Sequence, residues 1–303
     1  MNVPNIDKPT LVVVAGATAV GKTDFTIELA QQWQCDIISA DSRQFYREMR
    51  IGTAYPTDEE LARARHHFVG HLSIHDYYNV SRFEEDVLTL LQQLFKTQSV
   101  VIMTGGSGLY IDAVCYGIDD LPNYDPHIRQ YVMELFDKEG IDGLRMAVKQ
   151  HDPQFYHTAD LANYKRLMRA LEVSLQTGIP YSQQLTRHSK ERPFQIVKYC
   201  LTRPREVLFQ RINQRVDNMI NAGLLEEARA LYPYKHLNSL NTVGYKELFA
   251  HFDRQFSLEQ AIEDIKTHTR RYAKRQLTWI KRDGGYLEKD VAGTRVELVT
   301  SGL

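Results

Sequence analysis

Cysteine is scarce. Cys35, Cys115 and Cys200 are the three in 303 residues; they are far apart, odd in number and never in a CxxC pair. That count argues against a disulfide framework or a zinc site, and the usage fits a reducing, cytoplasmic setting. Long apolar runs are missing too. The longest, Leu11–Val20, is ten residues and already holds Gly16 and Thr18, too short to cross a bilayer. Met1–Thr10 lacks the basic-then-apolar order of a secretory signal. There is no excess of either charge: 37 Lys and Arg against 38 Asp and Glu leave a net charge of −1. A globally basic nucleic-acid binder is therefore excluded, and any such role is confined to local patches. Repeats and low-complexity segments are absent. The eleven histidines, His66-His67 among them, show no metal-ligand spacing with a carboxylate partner.

What is present alternates between strand and helix. Leu11–Ala15 is a β-branched run closed by Gly16, and Asp36–Ala40 and Ser99–Thr104 read as further strands. Lys22–Trp33 and Val80–Lys96 carry helical periodicity between them. Such alternation predicts an α/β fold with a parallel sheet covered by helices on both faces. The texture changes near Tyr116. From there to about Pro193 the patterns are helical: Asp125-Pro126 is an N-cap with proline at N1, and Asp160–Gln176 is amphipathic and stops at Gly178. Gln195–Leu201 returns to strand character, Pro204 opens a helix, and Ser257–Gln260 is a capping box starting a helix to about Arg282. The simplest organisation is a core of residues 1–117 and 195–303, C-terminal helices included, interrupted by a helical insertion domain at 118–194. Leu287–Leu303 is weakly patterned and reads as a loose tail.

Gly16-Ala17-Thr18-Ala19-Val20-Gly21-Lys22-Thr23 completes the GxxxxGK[ST] pattern directly after a strand and directly before a helix. The glycines let the backbone wrap a polyphosphate with successive N–H groups pointing inward. Lys22 adds a mobile positive charge, and the Thr23 hydroxyl is placed to bind Mg²⁺. The motif specifies a diphosphate or triphosphate and leaves its carrier open. A guanine-reading NKxD is absent, and Val100–Thr104 runs on into Gly105-Gly106-Ser107 without the aspartate of a motor-type ATPase. Asp41, following Ile37–Ala40, is the acidic residue that ends a strand. The carboxyl ends of parallel strands form the ligand crevice, so Asp41 is expected to face the P-loop as Mg²⁺ ligand, general base or helix N-cap.

Asp41-Ser42-Arg43-Gln44-Phe45-Tyr46, then Met49 and Ile51-Gly52-Thr53-Ala54 with Pro56, resemble the signature that follows the P-loop in tRNA dimethylallyltransferases. These enzymes modify the adenosine immediately 3′ of the anticodon. Gly105–Tyr110 is similar to the family's GGTGLY and Arg166–Glu172 to its RxxRALE. The C-terminal half matches through Arg211–Arg215, Met219, Gly223-Leu224, Gly244–Glu247, Thr269-Arg270, Tyr272–Gln276 and Trp279. Together these blocks span about residues 11–282. Four positions depart from the family pattern: Ala17 for Pro, Ser107 for Thr, Tyr55 for Lys and Lys165 for Gln. The last exchanges an amide for a charge.

The resemblance implies a P-loop NTPase-like core, dimethylallyl diphosphate as donor, the tRNA anticodon stem-loop as acceptor and Mg²⁺ as cofactor. Nothing in the sequence calls for a membrane or an obligate protein partner. Departure of diphosphate from an allylic carbon needs an anion grip, which the P-loop, Lys22, Thr23 and Arg211 or Arg215 would supply. The exocyclic amine of adenine is a weak nucleophile, and Asp41 is the expected base for its proton. RNA contacts are expected from Lys266–Arg282, where seven of seventeen residues are basic and none acidic, and in particular from Arg270, Arg271, Lys274 and Arg275. A second cluster in the insertion is Lys165, Arg166 and Arg169, with Arg129 a third site; Ser42, Arg43, Gln44 and Ser107 are expected beside the extruded base. Two other classes share parts of this pattern. A small-molecule kinase would consume ATP and leave the basic helix unexplained; a non-catalytic, nucleotide-gated RNA binder would tolerate Asp41→Ala. A prenyltransferase acting on free AMP or ADP would have little use for the insertion.

Overall fold

The β-branched run around Val12 forms the middle of a six-stranded sheet in the computed structural model, which describes residues 8–123, 125–186 and 189–291. The strands are β1 (Thr10–Gly16), β2 (Ile37–Ser39), β3 (His66–His67), β4 (Val100–Gly105), β5 (Gln195–Thr202) and β6 (Leu287–Asp290). They lie in the order β3-β2-β4-β1-β5-β6, and every neighbouring pair is parallel. All seven residues of β1 are buried. Side chains alternate along a strand, so both faces of the sheet are covered. Val12 and Val14 pack with Phe25, Ile27 and Leu29, with Leu208 and Ile212, and with Ala273. Each of the larger of these side chains contributes roughly 1.5–3 kcal/mol on burial.

Helices α1 (Lys22–Trp33), α2 (Asp58–Arg63), α3 (Val80–Leu94) and α4 (Gly108–Tyr116) follow the first four strands. The chain divides into two compact units, residues 116–191 and the remainder. The smaller holds α5 (Pro126–His151), α6 (Pro153–Thr158), α7 (Tyr164–Thr177) and α8 (Tyr181–Gln184) around its own core of Val132, Leu144, Val148, Phe155 and Leu171. Its chain leaves and returns side by side, Lys190 N–H donating to the Tyr116 carbonyl at 2.7 Å. The larger unit continues with α9 (Arg205–Asn221), α10 (Leu224–Leu231), α11 (Tyr245–Phe252) and α12 (Leu258–Asp283). There Arg192 stitches the returning chain to α4 by donating to the Ala113 and Val114 carbonyls, while pairing with the buried Glu84 at 2.7 Å. Among the described residues, no helix is long and apolar enough to cross a membrane.

Several boundaries differ from expectation. The helix expected from Asp160 starts at Tyr164. Asp160 is spent on a turn, accepting Ala162 N–H at 3.0 Å, and Asn163 caps the helix through Arg166 N–H. Only half of the Ser257 capping box forms, because the Gln260 amide turns to Asp264. Leu287–Asp290, read as loose tail, is the parallel edge strand β6; the rest of that tail, 292–303, lies outside the described residues.

Candidate active site

Carboxyl ends of β1, β2, β4 and β5 line up along one edge of the sheet, with Ala15 opposite Gly105, Ser39 opposite Thr104 and Gly16 opposite Leu201. The chain leaving each end builds one wall of a crevice. From β1 it enters the P-loop: Gly16 has φ 153°, and a Cβ there would lie 2.9 Å from the Leu201 carbonyl oxygen, so only glycine fits. Ala19 at the apex has φ 65°, a conformation a side chain rarely adopts. From β4 the chain passes Gly105, where a Cβ would meet the Ala40 carbonyl at 2.3 Å; the bare backbone lets the β2 and β4 exits touch.

Three arginines hold the P-loop from outside. Arg203 Nε donates to the Val20 carbonyl at 2.7 Å, Arg211 Nε to the Ala19 carbonyl at 2.8 Å, and Arg215 reaches the Thr18 hydroxyl at 3.4 Å. Arg203 escaped the reading of the sequence. Its signal is positional, since it follows the end of a strand that pairs with the P-loop strand. Lys22 Nζ donates to the Gly16 and Ala17 carbonyls at 3.0 and 3.1 Å. Burial pulls its ammonium down to about 8, with Asp41 opposing that shift and Arg215 adding to it.

Asp41 is not a helix N-cap. Its Oδ1 accepts Arg43 N–H at 3.1 Å, and its carbonyl accepts Gln44 N–H, closing a turn with no α-helix behind it. Burial raises its carboxyl above the ordinary range; the Arg43 N–H, then Lys22, Arg43 and Arg215, hold the rise back. Asp41 shares a cavity of about 340 Å³ with Thr18, Ser42, Arg43, Arg215, Tyr272 and Arg275. A wider cleft of about 660 Å³ meets it at Ala54, Arg215 and Met219 and extends past Ala19, Arg211 and Tyr55.

Several residues expected to read RNA are committed to the protein. The Gln44 amide donates to the Thr53 and Ala54 carbonyls and accepts from Ser39, bracing the loop rather than facing outward. Ser107 accepts Ser42 N–H and donates to the Ser42 hydroxyl, both at 3.0 Å. Arg43 donates to the carbonyls of Asn238 and Ser239. On α12, Arg270 is tied to Asn213 at 2.6 Å and to Thr267, while Arg271, Lys274 and Arg275 are exposed. In the smaller unit, Arg129 pairs with Glu172 at 2.8 Å and Arg169 donates to the Pro122 carbonyl; Lys165 and Arg166 are exposed. Glu172 is 1% exposed, the buried anchor of that pair. No group of three or more His, Cys, Asp or Glu side chains able to hold a metal is found among the described residues; His67 instead bonds Asp36 at 2.7 Å.

The sheet order, the P-loop sequence after β1 and the arginine collar define a P-loop-type α/β protein. More narrowly, the chain belongs to the IPP transferase family, whose model matches residues 44–283. The P-loop lies outside that match, so the two observations are independent. The chain is 52% identical over 274 residues to tRNA dimethylallyltransferase 2 of Parabacteroides distasonis, covering 90% of this chain and 92% of that one. A tRNA dimethylallyltransferase of Christiangramia forsetii is 51% identical over 273 residues, 90% of each chain. The solved tRNA isopentenylpyrophosphate transferase of Bacillus halodurans superposes with a TM-score of 0.68 at 34% identity, over 93% of this chain and 90% of that one. A eukaryotic dimethylallyltransferase acting on tRNA superposes with a TM-score of 0.74 at 26% identity, over 93% and 73%.

Proposed function

We propose that this protein transfers the dimethylallyl group of dimethylallyl diphosphate to the exocyclic N6 amine of the adenosine 3′-adjacent to the anticodon in tRNA, in the cytoplasm. The observation that carries the reading is the shared cavity: a carboxylate of raised pKa, Asp41, meets the P-loop at Thr18 and the basic helix at Arg275. In the reaction the allylic C–O bond breaks, the bonding pair leaves with the diphosphate, and the N6 lone pair forms the new C–N bond. Lys22, the P-loop N–H groups and Arg215 stabilise the departing anion. Asp41 accepts the N6 proton, and its burial makes it a stronger base than an exposed carboxylate.

The oxygen donors available suit Mg²⁺. Thr23 lies in the first turn of α1 with its hydroxyl unbonded among the described residues, and the sparse carboxylates call for a hydrated ion shared with substrate phosphate rather than an all-protein cage. Thr23 would hold that ion, which when bound supplies positive charge against the diphosphate. Polyphosphate recognition of this kind also admits a nucleotide as a competitor for the P-loop.

The test is mass spectrometry of tRNA nucleosides after incubation with dimethylallyl diphosphate and Mg²⁺. A gain of one dimethylallyl group on the target adenosine is expected. Consumption of ATP with unmodified tRNA would instead support a kinase.

A further inference from the structure

Gln276 lies in the middle of α12 and is 6% exposed, an uncharged amide among basic residues on a helix otherwise legible as an RNA-facing element. Its two amide atoms are both used. Oε1 accepts the Thr18 N–H of the P-loop at 2.8 Å, and Nε2 donates to the Gly106 carbonyl beyond β4 at 3.0 Å. The approach is close enough that a Cβ on Gly106 would sit 2.1 Å from Nε2. One turn earlier Tyr272 donates to the same carbonyl at 3.4 Å, and about one turn later Trp279 packs over Gly108 and donates to Asp112 at 3.0 Å. The next peptides of the P-loop are held by their carbonyls, Ala19 on Arg211 and Val20 on Arg203. Thr18, Ala19 and Val20 are thus oriented one by one, and the strained φ of Ala19 sits in the middle of the three. Such strain persists only where surrounding contacts over-determine it.

We infer that Gln276 is a positioning residue for the donor grip: from the basic helix it holds the P-loop backbone in its phosphate-binding conformation. This rests on the donor reading of the P-loop given above. Val20 N–H is held by the Ala17 carbonyl at 3.2 Å, so the bond to Thr18 N–H costs that grip nothing if the N–H groups of Ala19 and of Gly21 to Thr23 face the diphosphate. An unbraced apex must be ordered by the ligand itself, and that ordering weakens binding.

The experiment measures binding of inorganic diphosphate with Mg²⁺, binding of tRNA, and steady-state kinetics, in full-length wild type, Gln276→Met and Gln276→Glu. Gln276→Met matches the side chain in length and removes both hydrogen bonds. Its donor KM and diphosphate Kd should rise about tenfold, the size of a lost hydrogen bond to a buried partner. kcat at saturating donor should change less than about threefold, because the grip reforms once it is filled. Affinity for tRNA should stay within about twofold, since its phosphate contacts lie elsewhere on the helix. Gln276→Glu keeps an acceptor for Thr18 but opposes oxygen to the Gly106 carbonyl, and should fall short of wild type. Gly106→Ala, which evicts the amide from the other side, should reproduce the Gln276→Met phenotype and add little to it in the double variant.

Diphosphate affinity unchanged in both Gln276→Met and Gly106→Ala overturns the proposal. So does an equal loss of tRNA and diphosphate binding with a lowered Tm, which would make Gln276 a packing residue of α12. Wild type that binds no diphosphate would instead overturn the donor reading itself.

Discussion

In the proposed reaction Asp41 would have to take a proton from an arylamine-like nitrogen, and so be ionised in a buried position. Burial raises its carboxyl, and one backbone N–H and three cations hold that rise back. Replacing it by asparagine keeps the turn to Arg43 N–H and removes the base. Asp41→Asn should therefore bind diphosphate and tRNA normally and lose about 10²-fold or more in single-turnover rate. Near-wild-type turnover would demote Asp41 to a residue that only shapes the turn. Lys22 sets the other limb of the pH dependence. Its ammonium, drawn down to about 8, is charged below that pH and neutral above it. The donor kcat/KM, which reports the free protein, should rise with pH as Asp41 ionises and fall as pH passes the Lys22 value. A profile flat on the alkaline side would remove Lys22 from the grip.

At the level of elements, α12 carries two populations of cations, and the division is physical. Arg270 is held against the protein by hydrogen bonds to Asn213 and Thr267, whereas Arg271, Lys274 and Arg275 stand in solvent. Each phosphate contact releases condensed counterions, so tRNA affinity should fall with log salt at a slope of about −0.7 to −0.9 per contact. Arg271→Ala, Lys274→Ala and Arg275→Ala should each flatten that slope by about one unit, and Arg270→Ala should leave it unchanged while loosening the α9–α12 packing. Titrations over ~50–300 mM salt measure this directly. An unchanged slope in Arg271→Ala/Lys274→Ala would assign the grip to the exposed Lys165 and Arg166. How much of this was legible follows from range. β1, the P-loop and α1 are contiguous, with period and punctuation agreeing, so their limits could be read residue by residue. The two-residue β3 and the polar β6 owe their existence to neighbouring strands and leave no local pattern. The direction of a long polar side chain is decided the same way: Gln44 turns inward and Gln276 bridges two loops because of partners remote in sequence.

Over the whole molecule, two compact units imply two cooperative units. Leu144 is fully buried in the core of the smaller one. Leu144→Ala should cost about 2–5 kcal/mol there, accelerating hydrogen exchange across α5 and α7 while β1 and α1 keep their protection. Diphosphate binding should persist in that variant. Its loss in parallel with the exchange would mean that the chain unfolds as one unit.

The side-by-side departure and return of the chain at Tyr116 and Lys190, one hydrogen bond apart, makes residues 116–191 a cassette in the engineering sense. A gap that narrow needs only a tight turn to bridge. Arg192, with its three contacts to α3 and α4, stays on the far side of the splice as a staple for whatever is joined there. A lineage could lengthen, shorten or exchange this cassette without moving the strand ends that carry Gly16, Asp41, Gly105 and Arg203. Selection on what the cassette touches is thereby uncoupled from selection on the chemistry.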